Sequence, residues 1–350
     1  MSFSIFINKI RRRIMHGITK HIGNSGNKLE IGALNPENIK RVLIIRANHR
    51  LGNQLLLTPI VQEVLNTFPN ATVDLFVKGG VANPVFQNYD RVKTIIQLPK
   101  MPFSNLIKYI KCWASIKQKT YDLVINGDKN SSSGRLLTQM ARADFKLFGE
   151  VIEAVENEHP DSKHISKHPI YNLRYFLTQL GLPKNESALP LLDIKLSESE
   201  INKGKTLLND IIKNDKKTIC IYTNATGDKC YSEDWWTTLY NRLLEAYPQY
   251  NIIEMLPIEN ISKINFKATH FYSQDIREMG AIIHNTAIFI AADNGVMHLA
   301  SASLTPCVGF FSVTNPEVYE PYGNESIALN TNKTTIEDWM QAIDNILKKS

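Results

Sequence analysis

A carboxylate, an amide and an imidazole stand close together after one apolar run: Asp293, Asn294 and His298 follow residues 287–292. An aspartate accepts hydrogen bonds from hydroxyl groups, and a histidine can donate one to an anionic oxygen. The apolar run is typical of a buried strand, and Gly295 opens a short helical pattern after it. Because ligands bind beside the carboxyl ends of parallel strands, this pattern predicts a binding site. The alternative is a plain turn in which Asp293 caps the helix.

A second polar loop follows an earlier apolar run. Residues 42–45 are typical of a buried strand, and the basic loop 46–53 comes next. Helical spacing of apolar residues over 55–68 predicts one long helix that ends before Pro69. Two such strand–loop–helix units, far apart in the chain, predict two Rossmann-like α/β domains. The remaining strands are predicted at 72–77, 94–98, 123–126, 145–148, 219–222, 252–255 and 307–311.

These segments resemble the motifs of glycosyltransferase family 9, the ADP-heptose:lipopolysaccharide heptosyltransferases. The family's first motif, Arg-Leu-Gly-Asp with a later Thr-Pro, is similar to residues 50–53 and 58–59. Its second motif, Asp-(Ser/Thr)-Gly-x-x-His-Leu, is similar to residues 293–299. A strand, a Thr-rich loop, a lysine and an aromatic residue match 219–231, and 314–323 resemble a later (Thr/Ser)-(Asp/Asn)-Pro loop. The matches keep the family's order along the chain.

The resemblance implies a GT-B-like α/β fold, with two Rossmann-like domains facing each other across a cleft. It implies an inverting transfer of a sugar such as heptose from a nucleotide diphosphate sugar, expected to be ADP-linked. The acceptor is expected to be a lipid-linked lipopolysaccharide or another surface glycan. The expected divisions are a basic arm and linker at 1–29, an acceptor domain at 30–185 and a donor domain at 186–350.

The resemblance also gives roles to single residues. Lys229 is expected to stabilise the charge of the leaving diphosphate, and Asp293 to accept hydroxyls of the donor sugar. Gly295 would let the backbone approach the ligand closely. The full donor-binding set is expected to be Asn224, Ala225, Thr226, Lys229, Gln274, Asp293, Asn294, Gly295, Val296, Met297 and His298. The acceptor-binding set is expected to be Arg50, Gly52 and Asn53.

The general base is the open question. The family keeps an aspartate where this chain has Asn53, and a neutral amide cannot accept a full proton. One interpretation is that His49 serves as the base, since an unperturbed histidine has a pKa of about 6.5. A second is that Asn53 only orients the acceptor. A third is that the protein is a weakened or non-catalytic nucleotide-sugar-binding member of the family.

Other functions fit the sequence less well. A nucleotide-dependent epimerase or reductase is disfavoured, because no Gly-x-Gly-x-x-Gly follows the first predicted strand. The chain contains no Asp-x-Asp pair, and its four cysteines lack metal or redox spacing. We therefore expect no metal and no cofactor beyond the donor substrate.

Charge is distributed unevenly along the 350 residues, whose formal net charge is +6. Residues 1–29 carry six basic side chains and no acidic one, residues 30–185 have a net charge of +7, and residues 186–350 have −7. A basic first half predicts an anionic partner there. We expect that partner to be the lipid-linked glycan acceptor and the membrane surface that carries it, and not a nucleic acid.

The N-terminal arm has an amphipathic pattern. Its apolar residues recur every three or four positions and basic residues follow them: the stripe is Phe3, Phe6, Ile7, Ile10 and Ile14. This pattern predicts a helix that lies on a membrane surface, and the alternative is a helix packed on the protein itself. No run approaches the ~18 apolar residues that a membrane span requires. The expected location is the cytoplasm, with peripheral attachment to the inner membrane.

Overall fold

The computed structural model describes residues 30–32, 34–99, 106–129 and 131–349, so the predicted arm at 1–29 lies outside the described residues. Contacts between Cα atoms divide the chain into two compact units. The first holds the described residues up to His49, then Pro59–Asn83 and Tyr89–Pro190. The second holds Arg50–Thr58, Pro84–Asn88 and the described residues from Leu191 onwards. The division expected near residue 185 stays a prediction.

The first unit is built on five strands: β1 Arg41–Arg46, β2 Thr72–Lys78, β3 Val92–Leu98, β4 Thr120–Asn126 and β5 Arg142–Leu147. They pair in parallel in the order β3-β2-β1-β4-β5. Strands β1 and β2 are buried along almost their whole length, as the central strands of a parallel sheet should be. Leu43, Phe76 and Val124 lie in one apolar core cluster of this unit.

The second unit is built on six strands: β6 Thr218–Tyr222, β7 Asn251–Leu256, β8 Thr269–Tyr272, β9 Ile288–Ala292, β10 Cys307–Phe311 and β11 Ile327–Asn330. They are also parallel, in the order β11-β10-β9-β6-β7-β8. Its core contains Trp236, Ile290 and Phe310. Two parallel α/β sheets confirm the predicted fold class.

The helices of the described chain are α1 Leu51–Leu55, α2 Thr58–Thr67, α3 Ala82–Phe86, α4 Leu106–Gln118, α5 Ser132–Met140, α6 Glu153–Glu158, α7 His168–Gln179, α8 Glu198–Ile212, α9 Glu233–Ala246, α10 Ile276–His284, α11 Gly295–Ala302, α12 Pro316–Tyr319 and α13 Ile336–Leu347. None is long and apolar enough to cross a membrane within the part of the chain described here.

The strand order places one switch point in each sheet. The first sheet turns from one winding direction to the other between β1 and β4, and the second between β6 and β9. At such points the loops after two neighbouring strands run to opposite faces and leave room for a ligand at the carboxyl edge. Each unit therefore has one place where the fold itself favours binding.

The predicted strands agree with the structure, but the single long helix at 55–68 was wrong. Two helices, α1 and α2, occupy this region instead. Pro59 has no N–H group and cannot donate to the carbonyl of Leu55, so a continuous helix would lose that bond. The hydroxyl of Thr58 donates to the same carbonyl at 2.7 Å. Sequence reasoning also missed β8 and β11, which are short edge strands with few buried residues.

Candidate functional site

The switch point of the second sheet holds an ion pair. Lys229 lies in a short 3-10 turn after β6, and Asp293 follows β9 directly. Lys229 Nζ donates to Asp293 Oδ2 at 2.5 Å, with side chains that are 27% and 6% exposed. Asp293 has no basic neighbour in the sequence, and its basic partner in the structure comes from 64 residues earlier in the chain. The separate roles expected of Lys229 and Asp293 stay predictions.

Thr314 completes this cluster. Its hydroxyl donates a hydrogen bond to Oδ2 of Asp293, the same oxygen that accepts the hydrogen bond from Lys229. The other oxygen, Oδ1, has no hydrogen-bond donor within the described chain. One side of the carboxylate is therefore held by the protein, while the other can accept a hydroxyl group from a ligand.

Asn294 joins the loops that follow β6 and β9. Its Oδ1 accepts the backbone N–H groups of Val296 and Met297 at 2.8 and 2.9 Å, and its Nδ2 donates to the carbonyl of Asn224 at 3.1 Å. Asn294, and not Asp293, is thus the N-cap of α11. In this conformation these two N–H groups at the start of α11 already donate to the side chain of Asn294.

The two sequence motifs meet through their glycines. A Cβ atom on Gly52 would lie 2.8 Å from Cδ2 of His298 and 3.3 Å from the Cα of Gly295. A Cβ atom on Gly295 would lie 3.2 Å from the backbone nitrogen of Gly52. Helix α1 therefore packs backbone to backbone on α11, which only glycine permits. The close approach of a ligand to Gly295 stays a prediction.

The remaining donor-set residues differ in accessibility. Thr226 is exposed in the loop after β6, whereas Ala225 packs against the core of the second unit. Gln274 follows β8 and donates to the hydroxyl of Tyr272 at 2.8 Å. Met297 is fully buried, and Val296 and His298 are nearly so. The side chain of Met297 thus belongs to the core in this conformation.

The acceptor-set residues begin α1. Arg50 is the N-cap residue of this helix and is exposed, and Asn53 is half-buried within it. Both are grouped with the second compact unit. His49, the candidate base, is exposed in the loop after β1 and is grouped with the first unit.

Sequence reasoning missed a buried carboxylate beside the β6 loop. Glu254, in β7, accepts the hydroxyl of Thr223 at 2.5 Å and that of Ser262 at 2.7 Å. Thr223 is the first residue of the loop that leads to Asn224 and Lys229, so Glu254 fixes where the loop begins. Burial raises the pKa of the Glu254 carboxyl. A lone acid within the apolar run of β7 was the available signal.

A separate cavity of about 430 Å³ lies in the first unit, beside α7. Its charged groups pair with one another or with their surroundings: Lys184 with Glu158 and Glu186, and Arg174 with Glu63. The predicted site residues are not among those that line it. Within the described ranges, no cluster of three or more His, Cys, Asp or Glu side chains has the geometry to hold a metal ion.

The chain matches known proteins over most of its length. The sequence profile of glycosyltransferase family 9 (heptosyltransferase) matches residues 109–341. The lipopolysaccharide core heptosyltransferase OpsX of Haemophilus influenzae is 22% identical over 253 residues, which are 65% of this chain and 70% of that protein.

Solved structures share the fold. A glycosyltransferase family 9 protein from Veillonella parvula superimposes with a TM-score of 0.69 at 16% identity, over 90% of this chain and 99% of that one. The E. coli heptosyltransferase WaaC with ADP gives a TM-score of 0.62 at 17% identity, over 87% of this chain and 99% of that one. The second structure is of the GT-B-like type that the sequence predicted.

Proposed function

This chain belongs to glycosyltransferase family 9, and on that premise we propose that it transfers heptose from ADP-heptose to a lipid-linked lipopolysaccharide core. The family establishes a glycosyltransferase of the heptosyltransferase type. The proposed sugar and acceptor follow the names of its relatives, a lipopolysaccharide core heptosyltransferase and an ADP-bound heptosyltransferase. We further propose that transfer inverts the anomeric centre.

The Lys229–Asp293 pair is the observation that carries this proposal. A nucleotide diphosphate sugar offers an anion and a set of hydroxyl groups. The pair offers a cation with N–H groups left over and a carboxylate with one open oxygen, side by side at the switch point. Lys229 would stabilise the departing diphosphate, and Asp293 would bind the sugar hydroxyls through Oδ1.

Binding of the donor changes the charge balance of this pair. Before binding, Asp293 neutralises Lys229, and Thr314 helps to hold the carboxylate in place. A diphosphate that reaches Lys229 adds negative charge beside Asp293, and that like charge costs energy until sugar hydroxyls donate to the carboxylate. The site would therefore favour an intact nucleotide sugar over the released nucleotide.

For the acceptor, we propose that His49 removes the proton from the attacking hydroxyl and that Asn53 orients it. Support comes from the side chains themselves: His49 is exposed and titratable, whereas the half-buried Asn53 is an amide. Arg50 and Gly52 belong to the same proposed acceptor region, where Arg50 would contact acceptor phosphates.

Metal independence and peripheral attachment to the inner membrane are also part of the proposal. In support of the first, Lys229 can supply the positive charge that a metal ion supplies elsewhere. In support of the second, the basic arm has the pattern of a membrane-surface helix.

The test is transfer by the purified full-length protein from ADP-heptose to a heptose-deficient lipopolysaccharide fragment, with product detected by mass spectrometry. We expect transfer from ADP-heptose, little from UDP- or GDP-sugars, and no loss with a chelator present. Lack of transfer from every donor, despite nucleotide-sugar binding, would instead support a second candidate, a non-catalytic binding protein. Asn53 in place of the family's aspartate is the observation that favours this alternative.

A further inference from the structure

One outer surface of the first unit is both apolar and basic. On α4, Ile107 and Ile110 are 73% and 56% exposed. Lys111, Ala114 and Lys117 on the same helix are exposed too. Positions three and four residues apart lie on one side of a helix, so these five residues share a face. We refer to them as the apolar–basic face.

The exposed isoleucines are not needed to hold the helix in place. The opposite side of α4 anchors it: Ile116 is fully buried, and Cys112 and Trp113 pack against the core cluster of the first unit. Two neighbouring branched apolar side chains in water are unfavourable unless something covers them. The apolar–basic face therefore has the character of an interaction surface.

The charge of this region identifies the kind of partner. Helix α4 carries lysines at 108, 111 and 117 and no acidic residue. The neighbouring helix α5, which contacts α4, carries Arg135 and likewise no acidic residue. Exposed apolar side chains flanked by lysines suit the boundary between the headgroups and acyl chains of an anionic bilayer.

We propose that the apolar–basic face is where the first unit docks on an anionic phospholipid surface. Ile107 and Ile110 insert among the acyl chains, while Lys111 and Lys117 remain at the headgroups. The face is made of other residues than those of the N-terminal arm and of the Lys229–Asp293 cluster. The part that this face would play in the reaction rests on the proposed lipid-linked acceptor. Docking itself does not, because vesicle binding is measured without any sugar transfer.

The test is sedimentation of the full-length protein with vesicles of phosphatidylglycerol and phosphatidylethanolamine, compared with pure phosphatidylcholine vesicles. We expect Ile107→Ser combined with Ile110→Ser to weaken binding to the anionic vesicles by about tenfold or more, because the apolar contact is lost. Lys111→Gln combined with Lys117→Gln should weaken binding at low salt, and its effect should fade at about 0.5 M salt, where charge is screened.

A matched control is available in the second unit. Leu244 and Ile258 are 46% and 67% exposed and lie outside the face. Leu244→Ser combined with Ile258→Ser should leave vesicle binding unchanged. Thermal unfolding of each variant verifies that it is folded.

The proposal is overturned if the folded isoleucine variant binds anionic vesicles as tightly as the wild type, or if the control variant loses binding equally. Failure of the proposed function is a different result. In that case the wild type would bind vesicles but transfer no sugar, even to an acceptor fragment dispersed in solution.

Discussion

The two switch points of this molecule have the same topology but different chemistry. In the second sheet, the loops after β6 and β9 bring together Lys229, which is partly open to solvent, and Asp293, which is buried. In the first sheet, β1 and β4 end on Arg46 and Asn126, which are both buried. Arg46 donates to the carbonyl of Gly127 at 3.4 Å, and Asn126 donates to that of Phe148 at 2.8 Å.

The difference lies in how much hydrogen-bonding capacity each edge keeps for a ligand. The amide of Asn126 is enclosed by two glycines: a Cβ atom on Gly134 would lie 2.2 Å from its oxygen, and one on Gly149 would lie 2.9 Å from its nitrogen. This edge is filled by the protein itself. The edge at Lys229 and Asp293 keeps hydrogen-bonding capacity for a ligand. We therefore expect changes at the second switch point to reduce catalysis, and changes at the first to reduce stability.

The largest effect is expected at the ion pair. Lys229→Met and Asp293→Asn should each lower kcat/KM by about a hundredfold or more, since each removes a charged group that we propose to contact the donor. The double variant should lose less than the product of the two single losses, because the residues contact each other. Steady-state kinetics on all four proteins checks this. Near-normal rates in both folded single variants would show that the donor does not bind at this edge of the sheet.

The next effect concerns His168, a buried histidine of the first unit. Burial lowers the pKa of His168 from 6.5 to about 4 in the folded protein. The folded state thus keeps His168 neutral where the unfolded state takes up a proton. The contribution of His168 to the free energy of unfolding is fully present above pH 6.5 and decreases as the pH falls towards 4. Between about pH 7 and pH 5 the decrease should be about 2 kcal/mol.

Urea unfolding at the two pH values measures this loss. His168→Gln serves as the control, because carboxylates contribute their own pH dependence and only the difference between the proteins belongs to His168. If the wild type and the variant lose the same free energy of unfolding, His168 does not titrate as stated.

A smaller effect is expected from Gly134→Ala. The new methyl group would meet the buried amide of Asn126, and the rearrangement should lower the free energy of unfolding by about 1–2 kcal/mol. Gly80→Ala is the matched control, because the nearest atom to its Cβ would be 3.9 Å away. Donor affinity should be unchanged in both. A clear loss of donor affinity in Gly134→Ala would contradict the view that the edge of the first sheet supports stability and does not bind the donor.

The smallest effect is expected from Asn53→Asp. If His49 is the base, the new carboxylate should change the rate by less than about threefold, whereas His49→Gln should cost about tenfold or more. A pH–rate profile of each variant distinguishes the cases. A large gain from Asn53→Asp, with His49→Gln fully active, would identify this chain as a weakened member of its family.

Much of this molecule could be predicted from local pattern. The apolar runs of β6, β9 and β10 are buried along their whole length, so the sequence signal and the structure coincide. The break between α1 and α2 was also readable, because Pro59 has no N–H to donate. It was missed because the apolar residues keep helical spacing on both sides of Pro59.

The arrangement of the site was harder to predict, since it depends on which loops meet. Nothing near Asp293 in the sequence indicates that Lys229 pairs with it, and only the adjacency of β6 and β9 brings the two together. Thr314 was within a recognised motif, but its hydrogen bond to Asp293 depends on the path of the loop after β10. The roles of the site residues in catalysis stay predictions.

Hydrogen exchange of the backbone amides with and without ADP tests the central claim most directly. We predict slower exchange in the loops 223–229 and 293–298, because a diphosphate held at Lys229 orders the second switch point. Exchange in 126–129, at the carboxyl edge of β4, should not change. Protection of 126–129 with no effect on 223–229 would contradict the account and move the donor site to the first sheet.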